Sequence, residues 1–129
     1  MNKLSGTIKH TKSVEGITHI HIEVGDKILS SLILGDEEAY QKNENVRLLF
    51  KETEVMIASK ESIVSARNAF VSPIIFINTG EILAEIHFDF DGIKIVSVVT
   101  MGALHDLKCN VGDKFLWFVK SNEVSIARI

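Results

Sequence analysis

The stretch THIHIEVGDKILSSLIL (residues 18–34) returns in altered form as AEIHFDFDGIKIVSVVT (residues 84–100). Both copies alternate strictly. Ile20, Ile22 and Val24 fall on one side of the chain and His19, His21 and Glu23 on the other; the second copy sets Ile86, Phe88 and Phe90 against Glu85, His87 and Asp89. A period of two is the mark of a strand that buries one face. Each run then meets a turn, VGDK (residues 24–27) or FDGI (residues 90–93). Asp-Gly suits the positive φ of a tight hairpin, so meandering antiparallel strands are expected.

Working outward, FKETEVMIA (residues 50–58) matches VKSNEVSIA (residues 119–127), and Asn2 falls opposite Asn68. Two tandem repeats follow, 1–59 and 65–129, each opening at an asparagine and closing on a V-x-I-A strand. Leu104 and Leu107 in TMGALHDLK (residues 100–108) have the spacing of a short helix, and Asp36 stands as an N-cap for a shorter counterpart in GDEEAYQK (residues 35–42). About five short strands and one helical turn per repeat predict an all-β chain of two tandem OB-like five-stranded barrels.

Composition narrows the function classes. With 46% hydrophobic and 24% charged residues the chain is an ordinary globular protein. Its 17 acidic and 14 basic residues leave a net charge of −3, which offers no general attraction for a polyanion, and the aromatic residues read as core rather than as stacking platforms. Nucleic acid is therefore not expected as a partner. The amino-terminal residues lack the apolar run of an export signal, and no apolar stretch approaches the ~18 residues of a membrane span. Single Cys109 allows no internal disulfide and fits a reducing compartment, so a cytoplasmic location and no membrane partner are expected. No Ser-His-Asp, Cys-His or paired-carboxylate arrangement predicts an enzyme, and no catalytic residue is assigned. His10, His19, His21 and His87 are read as solvent-facing strand residues rather than metal ligands.

The segments SARNAF (residues 65–70), VVTMG (residues 98–102) and VGDKFLWFVKSNEVSIA (residues 111–127) resemble the Mop or TOBE domain of molybdate-binding proteins. The tandem arrangement resembles a di-Mop molbindin. The resemblance implies an oxyanion pocket of Ser65, Ala66, Arg67, Thr100, Lys120 and Ser121. It also implies molybdate or tungstate as the ligand with no other cofactor, and a homo-oligomer, dimer or trimer, with sites at subunit boundaries, the SAR segment on one subunit and the threonine and lysine on another. The residue types suit the chemistry: a tetrahedral dianion offers only acceptors, so its site needs guanidinium, ammonium, hydroxyl and backbone N–H donors.

The function expected is homeostasis, storage or delivery of the oxyanion. An effector-sensing module acting in trans on a transporter or repressor, and an OB-type nucleic-acid binder, are the alternatives. Three departures from the pattern stand out. Ser72 replaces the glycine after SARN, apolar Ile33 or Leu34 stands at the first-repeat counterpart of Thr100, and Glu52 follows Lys51 where Ser121 follows Lys120. The first repeat is accordingly read as degenerate.

Overall fold

The computed structural model describes residues 1–35 and 40–129. Asp36 lies outside the described residues. Ten strands run in the order β1 (Asn2–Val14), β2 (Ile17–Val24), β3 (Lys27–Leu34), β4 (Asn45–Phe50), β5 (Met56–Ser59), β6 (Asn68–Thr79), β7 (Leu83–Phe90), β8 (Ile93–Thr100), β9 (Lys114–Val119) and β10 (Ser125–Arg128). Among the described residues, the helix α1 (Met101–Leu107) follows β8, and 3₁₀ turns occupy Glu52–Glu54 and Ser121–Glu123.

The expected alternation is the one observed. Ile20, Ile22, Val24, Ile86, Phe88 and Phe90 are all buried, and the β7–β8 hairpin turns through Asp91 and Gly92 at φ of 50° and 90°. That is the geometry Asp-Gly was expected to adopt. Helix α1 starts where the Leu104/Leu107 spacing placed it. Thr100 Oγ1 caps it by accepting from the Ala103 N–H at 3.1 Å, and Leu104 is buried.

Two five-stranded sheets result, with strand orders β10-β4-β1-β2-β3 and β5-β9-β6-β7-β8. The repeats 1–59 and 65–129 are therefore not the two spatial bodies. Each gives its closing strand to the other: β10 pairs with β4 through Ala127 opposite Arg47, and β5 pairs with β9 through Ile57 opposite Trp117. The 3₁₀ turns redirect the chain across. Just after them, Val55 and Val124 are buried in one hydrophobic core shared by both sheets.

Polar groups fix that crossing symmetrically. The Ser97 hydroxyl donates to the Val55 carbonyl at 2.7 Å, and its repeat counterpart Ser31 donates to the Val124 carbonyl at 2.6 Å. The buried Asn2 side chain donates to the Val96 carbonyl and accepts from the Val96 N–H, at 2.9 and 2.8 Å. Asn68 does the same with Ser30, at 2.9 and 2.7 Å. Each asparagine thus replaces a missing strand neighbour, satisfying two backbone groups that would otherwise be buried unpaired.

The substitution at Ser72 has a packing reason. Its first-repeat counterpart Gly6 sits so close to β2 that an added Cβ would lie 2.6 Å from Ile22 Cγ2. At the second repeat, Trp117 replaces Leu48, and its indole N–H needs an acceptor when buried. The Ser72 hydroxyl supplies it at 3.0 Å. β6 otherwise enters its barrel in the register of β1, Asn68 opposite Val119 as Asn2 is opposite Phe50.

Candidate oxyanion site

Five of the six expected site residues come together. Ser65, Ala66 and Arg67, on the segment between β5 and β6, face Lys120 and Ser121, at the start of the second 3₁₀ turn, across an open cleft of about 170 Å³. Leu32 of β3 and Asn122 complete the lining. The chain folds this way because two buried anchors flank the cleft: Asn68, clamped on Ser30, fixes the residue after Arg67, and Val124, held by Ser31, fixes the turn that carries Lys120. Ser30 also reaches the lining directly, its hydroxyl hydrogen-bonding that of Ser121.

The lining is one of donors. Arg67 and Lys120 bring two positive charges, Ser65 and Ser121 bring hydroxyls, Asn122 brings an amide, and among the described residues no carboxylate lines the cleft. The nearest acid on the same turn is Glu123. Burial pushes its carboxyl up, the hydrogen bond and charge of Glu54 push it further, and Lys120 opposes them. A carboxyl that resists ionisation leaves more of the Lys120 charge available to a ligand.

Thr100 is elsewhere. It lines a separate groove of about 350 Å³ with Val55, Met56, Leu83, Val98 and Ala103. The SAR segment and Lys120 thus share one chain and one cleft, whereas the resemblance had grouped the lysine with the threonine. Because Thr100 Oγ1 already accepts from Ala103, its O–H remains able to donate.

The repeat counterpart of the cleft has a different character. Glu52 stands where Ser121 stands, and its carboxylate accepts from the Met1 ammonium at 2.6 Å. That hydrogen bond holds the Glu52 carboxyl below its usual range. Lys51 remains, but an acid now occupies the position of a hydroxyl donor.

Leu32, Asn122 and the supporting Ser30 were not among the expected residues. Asn122 was within reach, being adjacent to Ser121. Leu32 and Ser30 enter through long-range packing of β3 on the second 3₁₀ turn, for which no local pattern exists. The histidines divide between the barrels. His10, His19 and His21 cluster on one sheet face, with ring centroids 5.9 Å apart for His10–His21 and 4.5 Å for His19–His21. His87 instead bonds Glu85 at 2.9 Å. Among the described residues, no group of three or more His, Cys, Asp or Glu could hold a metal ion.

Comparison with solved structures finds similarity over nearly the whole length. The cytoplasmic molybdate-binding protein ModG, in a crystal form with molybdate bound, superposes with a TM-score of 0.92 at 22% identity, covering 99% of this chain and 96% of that one. The chain has the ModG fold. As in the reading from sequence, that is an all-β fold of two five-stranded, OB-like barrels. MopII from Clostridium pasteurianum, in an apo form, aligns over 50% of this chain and 98% of its own, with 27% identity and a TM-score of 0.48. No family model and no curated protein matches the sequence. Within the ModG fold, the cleft at Arg67 and Lys120 joins the start of one barrel to the crossing strand of the other, so its assembly depends on the exchange of β5 and β10.

Proposed function

We propose that the chain binds molybdate or tungstate at the cleft of Ser65, Ala66, Arg67, Lys120, Ser121 and Asn122, and that it serves oxyanion homeostasis, storage or delivery in the cytoplasm rather than catalysis. The observation that carries this reading is a lining of two cations and neutral donors with no carboxylate among the described residues, in which the two cations match the two charges of a tetrahedral dianion. The ModG fold and the SARN motif support it.

Binding follows from the geometry. The Arg67 fork and the Lys120 ammonium take oxygens of the anion and offset the cost of removing it from water. Ser65, Ser121 and the amide of Asn122 complete the coordination with neutral donors. Ser30 positions Ser121: when the Ser30 hydroxyl donates to Ser121 Oγ, the Ser121 proton points into the cleft. Phosphate carries a proton near neutral pH and would have to place its O–H on a neutral hydroxyl or amide oxygen, because no carboxylate is among the described lining residues, so it is disfavoured.

One donor of the expected set, Thr100, lies outside the cleft. In the proposed homo-oligomer, dimer or trimer, Thr100 of a second copy closes the cleft from the solvent side. Its groove is apolar, lined by Met56, Leu83 and Val98, and bears exposed side chains suited to such a contact. Regulation in trans would use the same anion site and differs only in what the loaded protein meets.

Calorimetric titration with molybdate, tungstate, sulfate and phosphate tests the reading. Tight binding of the first two and at least 100-fold weaker binding of phosphate is the expected result. Equal affinities for molybdate and phosphate, or no binding of either, would overturn it.

A further inference from the structure

The three-histidine cluster and the oxyanion cleft lie on the same sheet face. β2 and β3 pair antiparallel, His21 opposite Ser30 and His19 opposite Leu32. Directly opposite residues point to the same side, with Cβ atoms about 5 Å apart. Ser30 bonds the cleft residue Ser121, and Leu32 lines the cleft itself. The imidazoles of His19 and His21 are therefore one strand removed from the anion position, and His10 of β1, opposite His21, forms the next row.

The internal repeat supplies a control within the molecule. In the second repeat, β7 and β8 place His87 opposite Val96 and Glu85 opposite Val98, beside the degenerate counterpart of the cleft. There the position of His19 is taken by Glu85, which bonds His87, and Phe76 stands opposite His87 where His10 stands opposite His21. A histidine cluster with no carboxylate partner among the described residues thus accompanies the cleft that holds Arg67 and Lys120, and a histidine–glutamate pair accompanies its counterpart.

We propose, resting on the oxyanion reading above, that His10, His19 and His21 form an outer electrostatic layer of the Arg67–Lys120 cleft, adding positive charge on protonation and tightening the bound dianion as pH falls. The surroundings of His21 agree. Burial lowers its pKa, and the positive charges of His19, His10 and Arg67 lower it further. A dianion beside Arg67 opposes those repulsions, so it raises the His21 pKa, and by linkage protonation of His21 favours the bound state. Other charged groups on this face are Lys12, opposite His19, and the Lys9–Glu23 ion pair at 3.6 Å, at the far end of the histidine row. Glu23 is engaged with Lys9 and Lys12 is a cation, so among the described residues no free carboxylate on this face competes with the ligand for His21.

The test is molybdate affinity of the full chain by calorimetry at about pH 8 and pH 6, the interval in which imidazole ordinarily titrates. A charge about 10 Å from a dianion changes affinity by roughly three- to ten-fold. Wild-type protein is expected to bind that much more tightly at the lower pH and to take up protons on binding, seen in buffers of different ionisation enthalpy. His10→Gln/His19→Gln/His21→Gln should match wild type at pH 8 and lose the gain at pH 6. His87→Gln should keep it. Binding that is tight but equally pH-dependent in the triple variant overturns this inference alone, and so does affinity that falls on acidification. No molybdate binding at either pH overturns the oxyanion reading together with it. Should the triple variant fold poorly, the His21 imidazole signals in NMR decide: their titration moves to higher pH with molybdate, or the inference fails.

Discussion

At the scale of single residues, the account rests on a small number of side chains doing different work. Arg67 and Lys120 are exposed cations in the cleft, and removing either takes a charge-assisted donor from the proposed oxyanion site. Arg67→Ala and Lys120→Ala should each cost about 2–5 kcal/mol of molybdate affinity with thermal stability unchanged, measured by titration and melting. Lys51→Ala should cost far less, because Glu52 beside it already opposes a dianion. Asn68 behaves in the opposite way. It touches no ligand, yet Asn68→Ala leaves the Ser30 N–H and carbonyl without partners in a buried place. A loss of about 2–3 kcal/mol in unfolding free energy is expected by denaturant titration. Part of this was legible in the sequence: the convergence of SARN, the lysine and the serine on one cleft could be read directly, as could the equivalence of Asn2 and Asn68. The reason for the two asparagines could not, since their partners Val96 and Ser30 lie 94 and 38 residues away.

At the scale of elements, hairpins and helix were plain because their signals are local. Alternation fixed the buried faces of β2 and β7, Asp91-Gly92 fixed a turn, and Leu104 with Leu107 fixed α1. The strand exchange had no such signal. Met56–Ser59 and Ser125–Arg128 come from matching stretches of the two repeats that share the V-x-I-A pattern, so either could pair with β4 or β9 without breaking its own pattern. The choice is made by the crossing that buries Val55 and Val124 and bonds their carbonyls to Ser97 and Ser31. A disulfide tests it. Ala127 and Arg47 are direct cross-strand neighbours, at the Cα spacing a disulfide accepts. Ala127→Cys with Arg47→Cys should form an intrachain bond on mild oxidation, read by mass spectrometry after non-reducing proteolysis. Absence of that bond, or cross-linked dimers in its place, would contradict exchange within one chain.

At the scale of the whole molecule, an internal two-fold repeat has been made unequal. The framework is duplicated faithfully, in the paired asparagines, the paired serine–valine bonds and the exchanged strands. The chemistry is not: one cleft has Ser65, Arg67, Lys120 and Ser121, and the other has Lys51 beside a carboxylate already engaged with Met1. The groove that holds Thr100 has a counterpart too, about 510 Å³ in volume, where Leu34 stands in place of the threonine. Duplication therefore serves the fold, through one continuous core, while divergence leaves the proposed anion site in one place. The central claim is that this place takes a single dianion per chain. Calorimetric titration of molybdate into the wild-type protein measures it most directly. The account predicts one tight anion per chain, abolished by Arg67→Ala and retained in Lys51→Ala. Two tight anions per chain, or equal losses in Lys51→Ala and Lys120→Ala, would contradict it.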